Sequence, residues 1–143
     1  MDLGLEGKVA LVMGASKGIG RGIAEALARE GAAVAVSSRS AAALEELAGE
    51  LGGGAREFPA DTGDLERMQA LPCEVADAMG PVEIVVTNTG GPPRGGALAN
   101  PREEWEAAYR TLVLSPRVLV EAALPAMRER GWGRLVNVAS SSV

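Results

Sequence analysis

Residues 8–20 read K-V-A-L-V-M-G-A-S-K-G-I-G, and few folds accommodate such a stretch. Val9, Ala10, Leu11, Val12 and Met13 form a short, unbroken apolar run, the pattern of a strand buried on both faces. Gly14, Gly18 and Gly20 follow at once, and Ile19, Ile23, Ala24, Leu27 and Ala28 then recur at helical spacing. The order is therefore strand, glycine turn, helix. Such a turn aims the unpaired backbone N–H groups of the helix N-terminus over the strand tip, where they and the helix dipole favour an anion such as phosphate. Glycine suits positions where the backbone turns sharply, approaches the anion or lets helix pack on strand. The spacing G-x-x-x-G-x-G differs from the common dinucleotide pattern G-x-G-x-x-G. A glycine-rich strand–helix turn that binds nothing has the same outline.

The remainder of the chain repeats the alternation. After the first strand at residues 8–13, the first helix is predicted over 19–30 and closed by Gly31. Residues 32–37 (A-A-V-A-V-S) predict a second strand, and Ser40 caps a helix over Ala41–Leu51 that Gly52-Gly53-Gly54 stops. A weak third strand is expected at 56–60, ended by Asp61. Asp64 caps a helix over Leu65–Met79, in which Pro72 predicts a kink or break near Leu71. Residues 81–87 read as a fourth strand and 88–100 as a long loop rich in glycine and proline. Pro101 opens a long helix at its first position. Its stripe of Trp105, Tyr109, Leu112, Pro116, Leu119, Ala123 and Met127 is expected to be mostly core, with a kink at Pro116 and an end at Gly131. Residues 134–139 (R-L-V-N-V-A) form the fifth strand, expected near an open sheet edge.

Strands alternating with helices predict an α/β fold: a doubly wound parallel sheet, Rossmann-like, of order 3-2-1-4-5, with its ligand crevice between strands one and four. Residues 1–143 are expected to form one dinucleotide-binding domain.

Composition removes whole classes of chemistry. The chain has no histidine, which excludes Ser-His-Asp catalysis, histidine bases and most catalytic zinc sites, and no metal centre is expected. The net charge is −5 with no basic tract, which argues against a nucleic-acid partner. No apolar run is long enough to span a membrane. The first seven residues carry acids and glycines rather than a signal peptide, and Cys73 is alone, so a cytoplasmic protein is expected.

The glycine turn with Ser16 and Lys17 inside it resembles that of the short-chain dehydrogenase/reductase family, and three later segments strengthen the likeness. Thr87-Asn88-Thr89-Gly90-Gly91 is similar to the family's N-N-A-G segment, with Asn88 and Gly90 retained and Thr87 and Thr89 departing. Asp61-Thr62 stands where the family's acid meets the adenine amino group, although an aspartate there also serves as a turn residue. Residues 133–143 (G-R-L-V-N-V-A-S-S-S-V) resemble the strand leading to the family's catalytic serine, best matched by Ser140, with Ser141 as the alternative register.

The resemblance implies cofactor contacts at Gly14, Ser16, Lys17, Gly18, Ile19, Gly20, Ser38, Arg39, Asp61, Thr62, Asn88, Thr89 and Gly90, and a carbonyl-orienting hydrogen bond from Ser140. Ser38 occupies the place of the aspartate that NAD-dependent members carry. With Arg39 next and Lys17 nearby, NADP(H) is the expected cofactor. The implied activity is hydride transfer to a small-molecule carbonyl of the 3-oxoacyl type, and the implied assembly is a homo-oligomer.

Several departures bear on activity. Counting seven positions from Trp105 reaches Leu112, where the family often has a catalytic asparagine. Pro92-Pro93-Arg94 is unusual and would stiffen the substrate-side loop. The family's Tyr-x-x-x-Lys would lie beyond Ser140. The one tyrosine, Tyr109, is in another element, and Lys17 belongs to the turn. Residues 1–143 by themselves are thus expected to bind nucleotide without appreciable carbonyl reduction. A non-catalytic nucleotide-binding module and a fragment of a longer reductase are the other readings of the same residues.

Overall fold

A computed structural model describes residues 1–96 and 98–140. The elements are β1 (Val9–Met13), α1 (Gly18–Arg29), β2 (Ala33–Ser37), α2 (Ala41–Leu51), β3 (Arg56–Glu57), α3 (Leu65–Met79), β4 (Ile84–Thr87), α4 (Arg102–Tyr109), a π-helical turn (Arg110–Leu114), α5 (Ser115–Arg130) and β5 (Arg134–Asn137). All strand pairs are parallel, as the alternation predicts, and the sheet order is β3-β2-β1-β4-β5, as expected.

The unbroken apolar run of β1 is explained by its position. It is the central strand, and its alternate side chains enter two cores. Leu11 and Met13 pack with Leu71 and Val75 of α3 and Leu119 and Ala123 of α5. Ala10 and Val12 pack with Ala24 of α1 and Leu44 and Leu47 of α2. All five β1 residues are buried, which is why the run is apolar without alternation. At the opposite end from the glycine turn, Lys8 Nζ donates to Glu83 Oε1 at 2.8 Å. It also lies 4.4 Å from the Trp132 ring centroid, with Arg134 4.6 Å from the same ring. Lys8, Glu83 and Arg134 precede or begin β1, β4 and β5, so this cluster ties three strand starts together.

The two side-chain caps form as expected. Ser40 Oγ accepts from Ala43 N–H and Asp64 Oδ1 accepts from Arg67 N–H. Other expectations are corrected. Pro72 does not break α3, which runs continuously. Pro72 is buried, and the Arg67 guanidinium bonds both the Pro59 carbonyl and Glu74, spanning the proline along one helix face. Burial of the surrounding face offsets the one missing backbone bond.

Pro116 acts one turn earlier than expected. Ser115 N–H donates five residues back, to the Arg110 carbonyl, and the helix widens over Arg110–Leu114. This geometry relieves the clash that an α-helical turn would create between the Pro116 ring and the Leu112 carbonyl. The stripe on this helix is core only at its far end. Leu119, Ala123 and Met127 are buried, whereas Trp105 and Tyr109 are more than half exposed. Strand three is two residues long rather than five, although Phe58 and Ala60 just beyond it are buried. Among the described residues β5 pairs with β4 alone, and Leu135 and Val136 are exposed.

Candidate cofactor site

The C-terminal tips of β1, β2 and β4 and the segment after β3 open into one cleft of about 860 Å³, at the upper end of small-ligand sites. Its floor is the glycine turn. Gly14 has φ +61° and Gly18 φ +59°, a region costly for residues with a Cβ. A Cβ on Gly14 would lie 2.6 Å from the Asn88 carbonyl oxygen. A Cβ on Gly18 would meet no protein atom within 4 Å, because that side of the turn faces the cleft.

Twelve of the residues expected to contact a cofactor line this cleft: Gly14, Ser16, Lys17, Gly18, Ile19, Ser38, Arg39, Asp61, Thr62, Asn88, Thr89 and Gly90. Gly20 does not. It is buried in the first turn of α1, where a Cβ would collide with the Gly14 carbonyl and lie 2.7 Å from Asn88 Nδ2. Its part is close helix–strand packing behind the turn. Ser140 also stands outside the lining, exposed beyond the end of β5. The alternative, Ser141, lies outside the described residues.

Asn88 braces the turn. Its Nδ2 donates to the Met13 and Gly14 carbonyls, each at 3.4 Å, joining β4 to the end of β1. Ala15 N–H donates to the Ser37 carbonyl at 3.0 Å and joins β1 to β2. At the β2 tip, Ser38 Oγ is buried with no hydrogen-bond partner among the described residues. Arg39 is exposed, and neither it nor Lys17 forms an ion pair among those residues. Among the described residues the cleft therefore offers two cations without an ion-pair partner and one unsatisfied hydroxyl, in a chain of net charge −5. Asp61 plays a turn role as well as lining the cleft, since its Oδ1 accepts from Gly63 N–H at 2.8 Å.

Sequence reasoning misses Ser40, Met68 and Thr111, which also line the cleft. Ser40 is legible in principle, because it follows Arg39 at a strand tip. Met68 and Thr111 enter from helices far along the chain, and no local pattern marks them.

The comparisons with known proteins agree with this fold. The chain is 36% identical over 139 residues to the ketoacyl reductase HetN of Nostoc sp., covering 95% of this chain and 48% of that protein. It is 36% identical over 141 residues to the 3-oxoacyl-[acyl-carrier-protein] reductase FabG of Vibrio harveyi, covering 96% and 57%. Among solved structures, L-sorbose reductase from Gluconobacter frateurii, complexed with NADPH and L-sorbose, superposes with a TM-score of 0.91 at 33% identity, over 99% of this chain and 55% of that one. The chain thus spans about half the length of the relatives it matches. The family model described as short chain dehydrogenase matches residues 8–143, which include the central strand and Ser140. On that match, and with the sheet order and glycine turn it requires, the chain belongs to the short chain dehydrogenase family.

Proposed function

We propose that this chain is the nucleotide-binding part of an NADP(H)-dependent reductase that transfers hydride to a small carbonyl compound of the 3-oxoacyl type. The observation that carries the cofactor choice is Arg39, exposed at the β2 tip and without an ion-pair partner among the described residues, beside a Ser38 hydroxyl with no hydrogen-bond partner among them. A ribose 2′-phosphate would find there a guanidinium for charge-assisted bonds and a hydroxyl donor. An NAD-preferring site would instead carry a carboxylate for the ribose hydroxyls, and none follows β2 directly.

The remaining roles follow from placement. Backbone N–H groups at the start of α1 hold the pyrophosphate, and the open side of Gly18 lets it approach. Asp61 and Thr62 bound the adenine end, and Asn88, Thr89 and Gly90 the opposite wall. When bound, the dinucleotide supplies the hydride. Ser140 would donate a hydrogen bond to the carbonyl oxygen as negative charge grows on it. A cytoplasmic, homo-oligomeric protein fits this reading, and no helix among the described residues is long and apolar enough to cross a membrane.

The test is a pair of dissociation constants, for NADPH and NADH, measured by titration calorimetry. NADPH is expected to bind about ten- to hundredfold more tightly, the worth of one or two charge-assisted bonds. Arg39→Ala should remove most of that preference and leave the NADH affinity within about twofold. Equal affinities in the wild type would overturn the assignment.

A further inference from the structure

One π-helical turn, Arg110–Leu114, interrupts the long helix among the described residues, and it stands at the cleft. Thr111 lines the cleft wall, whereas Leu112 is not among its lining residues. Single π-turns inside α-helices are rare and concentrate at functional sites. The cost of this one is visible. Ser115 N–H donates to the Arg110 carbonyl, five residues back, and Pro116 has no N–H to give. The Thr111 carbonyl therefore receives a helix bond from neither residue. Ser115 is fully buried, and its Oγ has no hydrogen-bond partner among the described residues. The Thr111 hydroxyl is turned back onto its own helix. It donates to the Ala107 and Ala108 carbonyls at 3.1 and 3.2 Å, so it has no proton left for a ligand.

The turn also sets a register. One extra residue in a helix rotates everything on one side of it by about 100° relative to the other. The α5 side is fixed, because Leu119, Ala123 and Met127 are buried in the core. The residues up to the turn take up the rotation. We propose that Pro116 is a positioning residue: by holding the π-turn open, it directs Thr111, and not Leu112, toward the dinucleotide that fills the cleft. Counting along the chain from Trp105 points to Leu112, but its neighbour reaches the cleft instead. With its proton already given away, Thr111 adds a small, non-donating surface to the wall, where the longer side chain of a leucine would narrow the cleft. Pro116→Ala restores an N–H that can reach the Leu112 carbonyl, the bond of an ordinary α-helical turn. Alanine also favours a helix, so the variant is expected to fold. The role assigned to Pro116 rests on the dinucleotide reading of the cleft.

Thiol labelling of the 143-residue chain tests it. Cys73 is exposed, so Cys73→Ser is the common background, carrying Thr111→Cys or Leu112→Cys, each with and without Pro116→Ala. Saturating NADPH should slow labelling by a small methanethiosulfonate at least about tenfold in Thr111→Cys and less than about twofold in Leu112→Cys. Adding Pro116→Ala should cut the protection in Thr111→Cys to under about threefold. In the free chain the ratio of the two labelling rates should itself change at least about threefold with Pro116→Ala, so the register is read without any nucleotide. A merely structural proline would change the melting temperature and leave these patterns alone. Equal protection at both positions overturns the proposal, as does a protection pattern or a free-chain rate ratio that Pro116→Ala leaves unaltered. Failure of the dinucleotide reading would show separately, as a wild type that binds no NADPH by calorimetry, with the free-chain ratio still deciding the register.

Discussion

Gly20→Ala is expected to destabilise the protein by about 3 kcal/mol, while Gly22→Ala, two positions along the same helix, stabilises it by up to about 1 kcal/mol. In an exposed helix interior, replacing glycine by alanine removes unfolded-state freedom and favours the helix. Gly22 meets that description: it is exposed, and a Cβ there would touch nothing within 4 Å. Gly20 carries the same propensity gain, but steric overlap outweighs it. Its added Cβ would strike the Gly14 carbonyl, backbone of the turn itself, and come within 2.7 Å of Asn88 Nδ2. Neither neighbour can yield freely, because Gly14 is held by Asn88 and Asn88 by β1. Relief requires α1 to lift from the sheet and uncover Ala24 and its apolar neighbours. Urea unfolding of the two variants gives the comparison directly, and a Gly20→Ala protein within about 1 kcal/mol of wild type would contradict this packing.

Gly18→Val is expected to lower dinucleotide affinity at least about a hundredfold, close to 3 kcal/mol, in a protein that still folds. Two effects act at this position and differ in where they register. The φ of +59° makes a β-branched residue strained, which costs on the order of 1–2 kcal/mol of stability. The side chain itself meets no protein atom, so it points into the space where a pyrophosphate would approach the α1 N-terminus. Binding therefore suffers more than folding. Gly18→Ala separates the two, because it carries most of the backbone strain with far less volume and should keep more of the affinity. Calorimetric titration with NADPH, beside a thermal melt, reads both quantities. A folded Gly18→Val protein with unaltered affinity would mean that the anion does not sit on this turn.

Much of the architecture is legible in the sequence, because it rests on short-range signals. The α2 and α3 boundaries, Ala41–Leu51 and Leu65–Met79, follow from caps at Ser40 and Asp64 and from a glycine after each helix. The parallel sheet follows from the alternation of elements, and its order, β3-β2-β1-β4-β5, is the one usual for a dinucleotide-binding fold. The expected cofactor contacts come from the likeness to a known family, and the twelve of them that line the cleft stand mostly at the C-terminal tips of strands, where ligands bind in an open parallel sheet.

What the tertiary structure alone decided concerns contacts between residues far apart in the chain. Pro72 reads locally as a helix break, yet packing of α3 against α5 and the sheet keeps the helix whole. Trp105 and Tyr109 share a helical stripe with Leu119 and Met127, yet only the latter pair is buried, since periodicity shows which residues share a face and not how far the core extends beneath it. Gly20 is required by Asn88, Thr87 finds Asn137, and Met68 and Thr111 reach the cleft from separate helices. Local propensity sets which elements form and in what order. Only the packed sheet brings the side chains of distant elements to within a hydrogen bond of one another, and that proximity decides which glycine cannot carry a methyl group and which threonine meets an asparagine fifty residues on.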